Sequence, residues 1–329
     1  MQRLDGDALA PAALRGGVVA LGNFDGFHLG HQAVVGRAVE RARAEGRPAL
    51  VATFDPHPVR FFRPDAPPFR LTTLDQRERL FAEAGVDATV VFRFDGDLAA
   101  LTAEQFVTER LVGCLDVAGV VTGEDFTFGR AKGGDTAGLA ALGRAHGFTA
   151  ETVGPVALDG ETVSSSRIRD LLRAGEPRGA ARLLTRPFAI EGAVQHGDKL
   201  GRTIGYPTAN LDMGRYLRPA YGIYAVRGRL ADGRVLDGAA NLGIRPTFDP
   251  PKELLEPYFF DFSGDLYGQR IEVELVEYLR AEARFDGLEA LTAQMERDCA
   301  RARVVLANNP PLQGEVAARS ADGGASPSR

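Results

Sequence analysis

The chain has 329 residues, 44% of them hydrophobic and 25% charged, with a net charge of −5. That is ordinary globular composition, too long for one ordinary core and about right for two domains. It contains no block of like charge marking a nucleic-acid surface, no basic-flanked apolar leader, and no run of the roughly 18 apolar residues that a membrane span needs. Cys114 and Cys299 form neither a metal-ligand spacing nor a disulfide framework. The expectation is a soluble, cytoplasmic protein with no nucleic-acid or membrane partner.

The first half alternates strand-like and helix-like segments. Gly17–Leu21 is a short apolar run ending in a glycine-rich turn, followed by a helical stretch from Leu29 to about Arg43. Ala49–Phe54 is strand-like, Leu74–Ala84 helical up to Gly85, and Ala88–Phe92 strand-like. Ala103–Val112 is helical, Val117–Thr122 strand-like, and Thr136–His146 helical up to Gly147. This rhythm predicts a doubly wound α/β domain with a parallel sheet, which binds ligands at the carboxyl ends of its strands. After about residue 187 the rhythm changes. Tyr221–Leu230 and Val235–Leu242 flank an Asp232-Gly233 hairpin signal, and Glu256–Phe262 and Ile271–Tyr278 look like further strands. The next helical stretch is Gly287–Leu306, so an antiparallel β-barrel with a C-terminal helix is expected. Arg173–Arg186 reads as the junction. The domains are expected at 1–184 and 185–309, with a Gly, Ala, Ser and Pro-rich disordered tail at 310–329.

Two constellations carry chemistry. The first is Gly22-Asn23-Phe24-Asp25-Gly26-Phe27-His28-Leu29-Gly30-His31, where the first strand turns into the first helix. Its glycines let the backbone approach a ligand, and a helix N-terminus favours phosphate. His28 and His31, three apart, can face one bound group and donate to a phosphate that gains charge in the transition state. A zinc reading lacks a third ligand. Ser164-Ser165-Ser166 before Ile168–Arg173, with Arg169, makes a second phosphate cradle or an ordinary N-cap.

The second constellation is Gly197-Asp198-Lys199-Leu200-Gly201-Arg202-Thr203-Ile204-Gly205-Tyr206-Pro207-Thr208-Ala209-Asn210. It is not a Walker A loop, because no Gly-Lys-Ser/Thr occurs in the chain. Thr208 and Asn210 are oxygen donors two apart, hence on one side of an extended chain, which suits Mg²⁺. A plain Gly/Pro hairpin is the alternative.

The GxFDGxHxGH-type turn, together with Ser164–Arg169, resembles the nucleotidyltransferases that join a phosphate-bearing acceptor to the α-phosphate of ATP. Thr53-Phe54-Asp55-Pro56-His57-Pro58 and Gly123–Gly129 narrow the resemblance to the adenylyltransferase module of the bacterial bifunctional riboflavin kinase/FAD synthetase family. Gly197–Asn210, Asn241–Phe248, Glu256–Phe262 and Asp265–Gly268 resemble that family's riboflavin kinase module. The resemblance covers about residues 15–308. It implies that Gly22, Asn23, Phe24, Asp25, Gly26, His28, Gly30, His31, Ser164, Ser165, Ser166 and Arg169 handle ATP phosphates at the first site. At the second it implies the same for Gly197, Lys199, Gly201, Arg202, Gly205 and Pro207, with Thr208 and Asn210 on magnesium and Glu256 as the base for the ribityl 5′-hydroxyl. Phe62, Phe106, Asp125 and Phe128 correspond to its flavin pocket. Substrates and products are ATP, riboflavin, FMN and FAD, with Mg²⁺ accompanying ATP. Ser166 replaces a common Thr, Tyr258 a common His, and Pro257 precedes it. Rival readings are a single active module, a transferase for another acceptor, and a non-catalytic flavin- or nucleotide-binding regulator.

Overall fold

The computed structural model describes residues 1–195, 206–245 and 252–310. The chain divides into two compact units. The first comprises Met1–Ala174, Arg182–Thr185 and Gly214–Pro219, and the second Gly175–Ala181, Arg186–Met213 and Ala220 onward.

In the first unit, β1 (Gln2–Asp5), β2 (Val18–Leu21), β3 (Ala49–Asp55), β4 (Ala88–Arg93), β5 (Gly119–Gly123) and β6 (Thr149–Val153) form one sheet in the order β1-β4-β3-β2-β5-β6. Every pairing is parallel. The inner strands β2, β3, β4 and β5 are buried along both faces, as a sheet covered on both sides requires. Val19, Leu21, Leu50 and Ala52 belong to one core, while Val18, Ala20, Ala49 and Val51 belong to the other. Helix α1 (Leu29–Ala44) lays Val34, Val35, Ala38, Val39 and Ala42 on the second core. That stripe is the three- and four-residue spacing of an amphipathic helix. The chain leaves β2 toward β3 and returns to pair β5 on its other side. The strand order therefore reverses between β2 and β5, and the Gly22 turn sits at the carboxyl end of β2 beside that reversal.

Helices α2 (Pro58–Phe62), α3 (Leu74–Glu83) and α4 (Gly96–Ala100) follow in the chain. Helix α3 begins with a reciprocal cap between Thr73 and Gln76. Gly214–Pro219 packs with this region: Arg70 and Tyr216 form a β-bridge, and the Tyr216 hydroxyl donates to Gln76 Oε1 at 2.7 Å. The predicted helix Ala103–Val112 instead starts as one α turn, α5 (Ala103–Gln105), and continues as a π-helix over Phe106–Cys114. Thr108 lies at its start, and its hydroxyl donates to the carbonyls of Glu104 and Gln105 at 3.0 and 3.3 Å. Such side-chain competition loosens the four-residue ladder. Helices α6 (Thr136–His146) and α7 (Ser165–Arg173) complete the unit, with a small hairpin, β7 (Ala157–Leu158) and β8 (Glu161–Thr162), leading into α7. Helix α8 (Pro177–Leu184) spans the division between the units.

In the second unit, β9 (Phe188–Ala193), β10 (Leu211–Asp212), β11 (Gly222–Leu230), β12 (Val235–Arg245), β13 (Lys252–Phe259) and β14 (Arg270–Arg280) form an antiparallel sheet. Its order is β10-β13-β12-β11-β14-β9. The Gln195–Asn210 bridge joins its two edges, which rolls it toward a barrel. Helix α9 (Leu288–Ala307) lays Ala302 and Leu306 against Ala225, Ala239 and Val276 on one face of the sheet. Pro257 sits inside β13 without breaking its register with β12. Its carbonyl accepts from the Ala209 N–H at 2.9 Å, so its missing donor also lies on that side, before the short β10 begins.

Phe81 of α3 is fully buried and meets the rings of Phe24 and Phe27 edge-on, at 5.9 and 5.1 Å. We expect Phe81→Ala to destabilise the first unit by about 3–5 kcal/mol. Hydrogen exchange should read this as lost protection of the β2 and β3 amides, with β11 and β12 unaffected.

Candidate active sites

The first site is built where α1 and α7 begin. His28 is the N-cap of α1, and its Nδ1 accepts from the His31 N–H at 3.4 Å. The two imidazoles stack with centroids 3.6 Å apart. Gly30 packs closely on this pair, since a Cβ there would lie 3.3 Å from the His28 ring. The turn before the helix holds Phe24 and Phe27 at φ values of 52° and 44°, a conformation that non-glycine residues rarely adopt. Buried contacts hold it there. Asp25 accepts from the backbone N–H groups of Leu71 and Thr72 and from Arg169 Nη2 at 2.7 Å. Gly26 donates to Thr72 Oγ1 at 3.0 Å. Gln32 donates to the Phe27 carbonyl at 2.9 Å.

Ser164 caps α7 by accepting from the Arg167 N–H at 3.2 Å, and Ser165 Oγ donates to the Asp25 carbonyl at 2.9 Å. Two helix N-termini are thereby tied to one turn, each with its positive end directed there. Ser166 is exposed. Arg169 also donates from Nε to the Phe69 carbonyl at 2.9 Å, leaving Nη1 without a hydrogen-bond partner among the described residues.

The structure brings together Gly22, Asn23, Phe24, Asp25, Gly26, His28, Gly30, His31, Ser164, Ser165 and Arg169. Within that set, Phe24 is a core ring and Asp25 is a buried counter-ion to Arg169. Of the flavin-pocket expectations, Phe106 and Phe128 are buried core rings 5.8 Å apart, and Asp125 is exposed. Phe62, 65% exposed, packs on Phe61 and Phe94 and offers an open aromatic surface.

Three neighbours were outside the expected set. Arg77 donates to the Asn23 carbonyl at 2.6 Å, and Arg70 pairs with Asp55 at 2.5 Å. His57 caps α2 through its Nδ1 and shares the Phe69 ring with the Arg169 guanidinium. His57 and Asp55 lie in a motif that resembles the family, which was the only signal for them. Nothing in sequence marked two arginines on and beside an ordinary helix.

Burial pulls the His31 pKa well below its usual value, helped by His28, Arg77 and Arg169. Burial also lowers His57 to about 4, opposed by Asp25 and reinforced by Arg169, Arg70 and Arg77. Both rings are therefore neutral donors and acceptors at pH 7 rather than imidazolium ions.

The second site lies on β13 and the chain before β10. Asn241 and Glu256 stand opposite each other on β12 and β13, so their side chains share a face of the sheet with Ala239 and Tyr258. Asn210, 5% exposed, bridges to Gln195, and Ala209 is bonded to Pro257, the residue after Glu256. The Thr208–Asn210 stretch thus runs beside the Glu256 strand. Pro207 is exposed, and the Tyr206 ring meets Tyr258 at 5.0 Å. Asn241 Oδ1 is buried without a hydrogen-bond partner among the described residues. Gly197, Lys199, Gly201, Arg202 and Gly205 lie outside the described residues.

A histidine whose folded pKa is depressed binds its proton more readily in the unfolded chain. Its contribution to stability is complete above pH 6.5 and is lost as the pH falls toward 4. Urea unfolding of the first unit should weaken by about 2–3 kcal/mol across that window on account of His57, and His57→Gln should flatten the slope.

Comparison with known proteins agrees with this division. The FAD synthetase family matches residues 10–167 and the riboflavin kinase family residues 184–306. The chain is 43% identical to the bifunctional riboflavin kinase/FMN adenylyltransferase of Pseudomonas fluorescens, over 89% of this chain and 94% of that one. The Escherichia coli K12 protein of the same description is 41% identical, over 90% and 94%. The Bacillus subtilis one is 38% identical, over 85% and 90%. A crystal structure described as a macrolide-efflux protein from Streptococcus pneumoniae superposes with a TM-score of 0.82 at 30% identity, covering 92% of this chain and 99% of that one. No helix among the described residues is long and apolar enough to cross a membrane. The chain belongs to the bifunctional riboflavin kinase/FMN adenylyltransferase family, with its FAD synthetase domain N-terminal and its riboflavin kinase domain C-terminal.

Proposed function

We propose that the two sites act in turn on one flavin, with residues 185–309 making FMN and residues 1–184 converting it to FAD. In the first reaction the ribityl 5′-hydroxyl of riboflavin attacks the γ-phosphorus of ATP. Glu256 accepts the hydroxyl proton, and ADP leaves. Thr208 and Asn210 offer neutral oxygens, a donor set that fits a hard cation held mainly by phosphate and water. Magnesium, arriving with ATP, would offset phosphate charge there. Asn241, opposite Glu256, adds an acceptor suited to a hydroxyl donor.

In the second reaction an oxygen of the FMN phosphate attacks the α-phosphorus of ATP, and pyrophosphate leaves. No covalent enzyme intermediate is needed. The observation that carries this reading is the joining of the α1 and α7 N-termini at one turn, through Ser165 and Asp25, with the stacked histidines on it. Backbone N–H groups, His28, the neutral His31 ring and Arg169 Nη1 then meet the charge that develops on the transferred phosphate. The open face of Phe62 suits an isoalloxazine. Phe106 and Phe128 support that region from the core. Both reactions consume ATP, which fits a cytoplasmic enzyme. The efflux description belongs to the Streptococcus protein and is not carried over.

Purified protein given riboflavin, ATP and Mg²⁺ should yield FMN and then FAD on flavin chromatography, and the absence of both would overturn the reading. Glu256→Gln should lower FMN formation at least about 100-fold while FAD formation from supplied FMN survives. His28→Ala should do the reverse, stopping the reaction at FMN.

A further inference from the structure

We infer that Arg77 is a positioning residue for adenylyl transfer, holding the Asn23–His28 turn by the Asn23 carbonyl and adding a buried positive charge to the surroundings of His31. The inference rests on the adenylyltransferase reading of the first site and adds a residue to it.

Arg77 is 2% exposed, on the first turns of α3. An arginine side chain is seldom so buried unless its fork is fully used. Here Nη1 donates to the Asn23 carbonyl at 2.6 Å and to Thr53 Oγ1 at 3.0 Å. Thr53 Oγ1 in turn donates to the same Asn23 carbonyl at 3.1 Å. Asn23 is the residue before Phe24, where the backbone enters its left-handed conformation. This one nitrogen therefore ties the turn at the point where it must be held. Arg77 Nε is buried without a partner among the described residues, so the side chain is not placed there to satisfy its own donors. No carboxylate bonds this charged group directly among the described residues; burial, with Arg70, pulls its pKa down against the opposing influence of Asp25, Asp55 and Glu78.

That charge has a target. The groups acting on His31 are His28 at the cap of α1, Arg77 from α3 and Arg169 from α7, and all three oppose its protonation. Arg169 is itself neutralised by Asp25 at 2.7 Å. Arg77 makes no carboxylate bond among the described residues, so its charge adds to the burial that keeps the His31 ring neutral.

Two substitutions separate the two parts of the role. Arg77→Met removes both the Nη1 donor and the charge, and Arg77→Lys keeps the charge on a shorter side chain that withdraws the donor from Asn23. We expect Arg77→Met to lower kcat for FAD formation from FMN by about 100-fold, with a smaller change in KM, while FMN formation is retained. Proton NMR should show the His31 ring titrating at a higher pH than in the unsubstituted protein. Arg77→Lys should also lose FAD turnover but keep the original histidine titration. An Arg77→Met protein with unchanged turnover and titration would overturn the inference, as would equal histidine titrations in the Met and Lys variants. If Arg77→Met does not fold, Arg77→Lys with undiminished FAD turnover overturns it. Failure of the unsubstituted protein to form FAD from FMN would instead overturn the assignment of the first site.

Discussion

The carboxylate of Asp25 is where three separate stretches of chain meet. It takes backbone N–H groups from the approach to α3 and the guanidinium of Arg169 from α7, while its own carbonyl accepts from Ser165. A carboxylate 4% exposed is tolerable only because these donors replace water. Removing one side of such a pair costs about 3–5 kcal/mol, since the other charge is stranded. The left-handed Phe24 and Phe27, the stacking of His28 on His31, and the aim of two helix ends all follow from holding this one residue in place.

The two sites solve unlike problems. Adenylyl transfer needs no proton removed from its nucleophile, which is already an anion. In the proposed reading the first site accordingly collects donors around the neutral His31 ring and keeps buried Asp25 paired with Arg169. Phosphorylating a hydroxyl does need a proton acceptor. At the second site Glu256, the base proposed above, lies opposite Asn241 on paired antiparallel strands. A parallel sheet supplies helix ends at its strand termini, and an antiparallel barrel supplies side chains at fixed register. Each chemistry sits on the architecture that yields the groups it uses.

Much of this was legible in sequence because its signals are local. The β-α rhythm gave the parallel sheet, the Asp232-Gly233 turn gave the β11–β12 hairpin, and the glycine-rich turn and Ser164 cap marked the first site. Legibility ended where groups converge from afar. Arg77 looks like any charge on a helix face, yet it is buried against Asn23, 54 residues earlier. Phe106 and Phe128 match a flavin pocket by motif, but tertiary packing turns both inward. The π-helix at Phe106–Cys114 was equally hidden, because apolar spacing does not register a single hydroxyl competing for a carbonyl. Pro257, in sequence only a departure from the family pattern, keeps its place in β13 because its missing donor lies beside the approach to β10.

Gly214–Pro219 lies beyond β10 in sequence but belongs to the first compact unit, with Tyr216 bonded to the cap of α3 and Arg70 bridged to it. The first unit is therefore not finished when its last strand and helix have been made. As the chain leaves the ribosome, α3 and the loop that grips Asp25 must wait for a segment emitted some 30 residues after α8. The half of the enzyme translated first reaches its final form only when part of the second half has been synthesised.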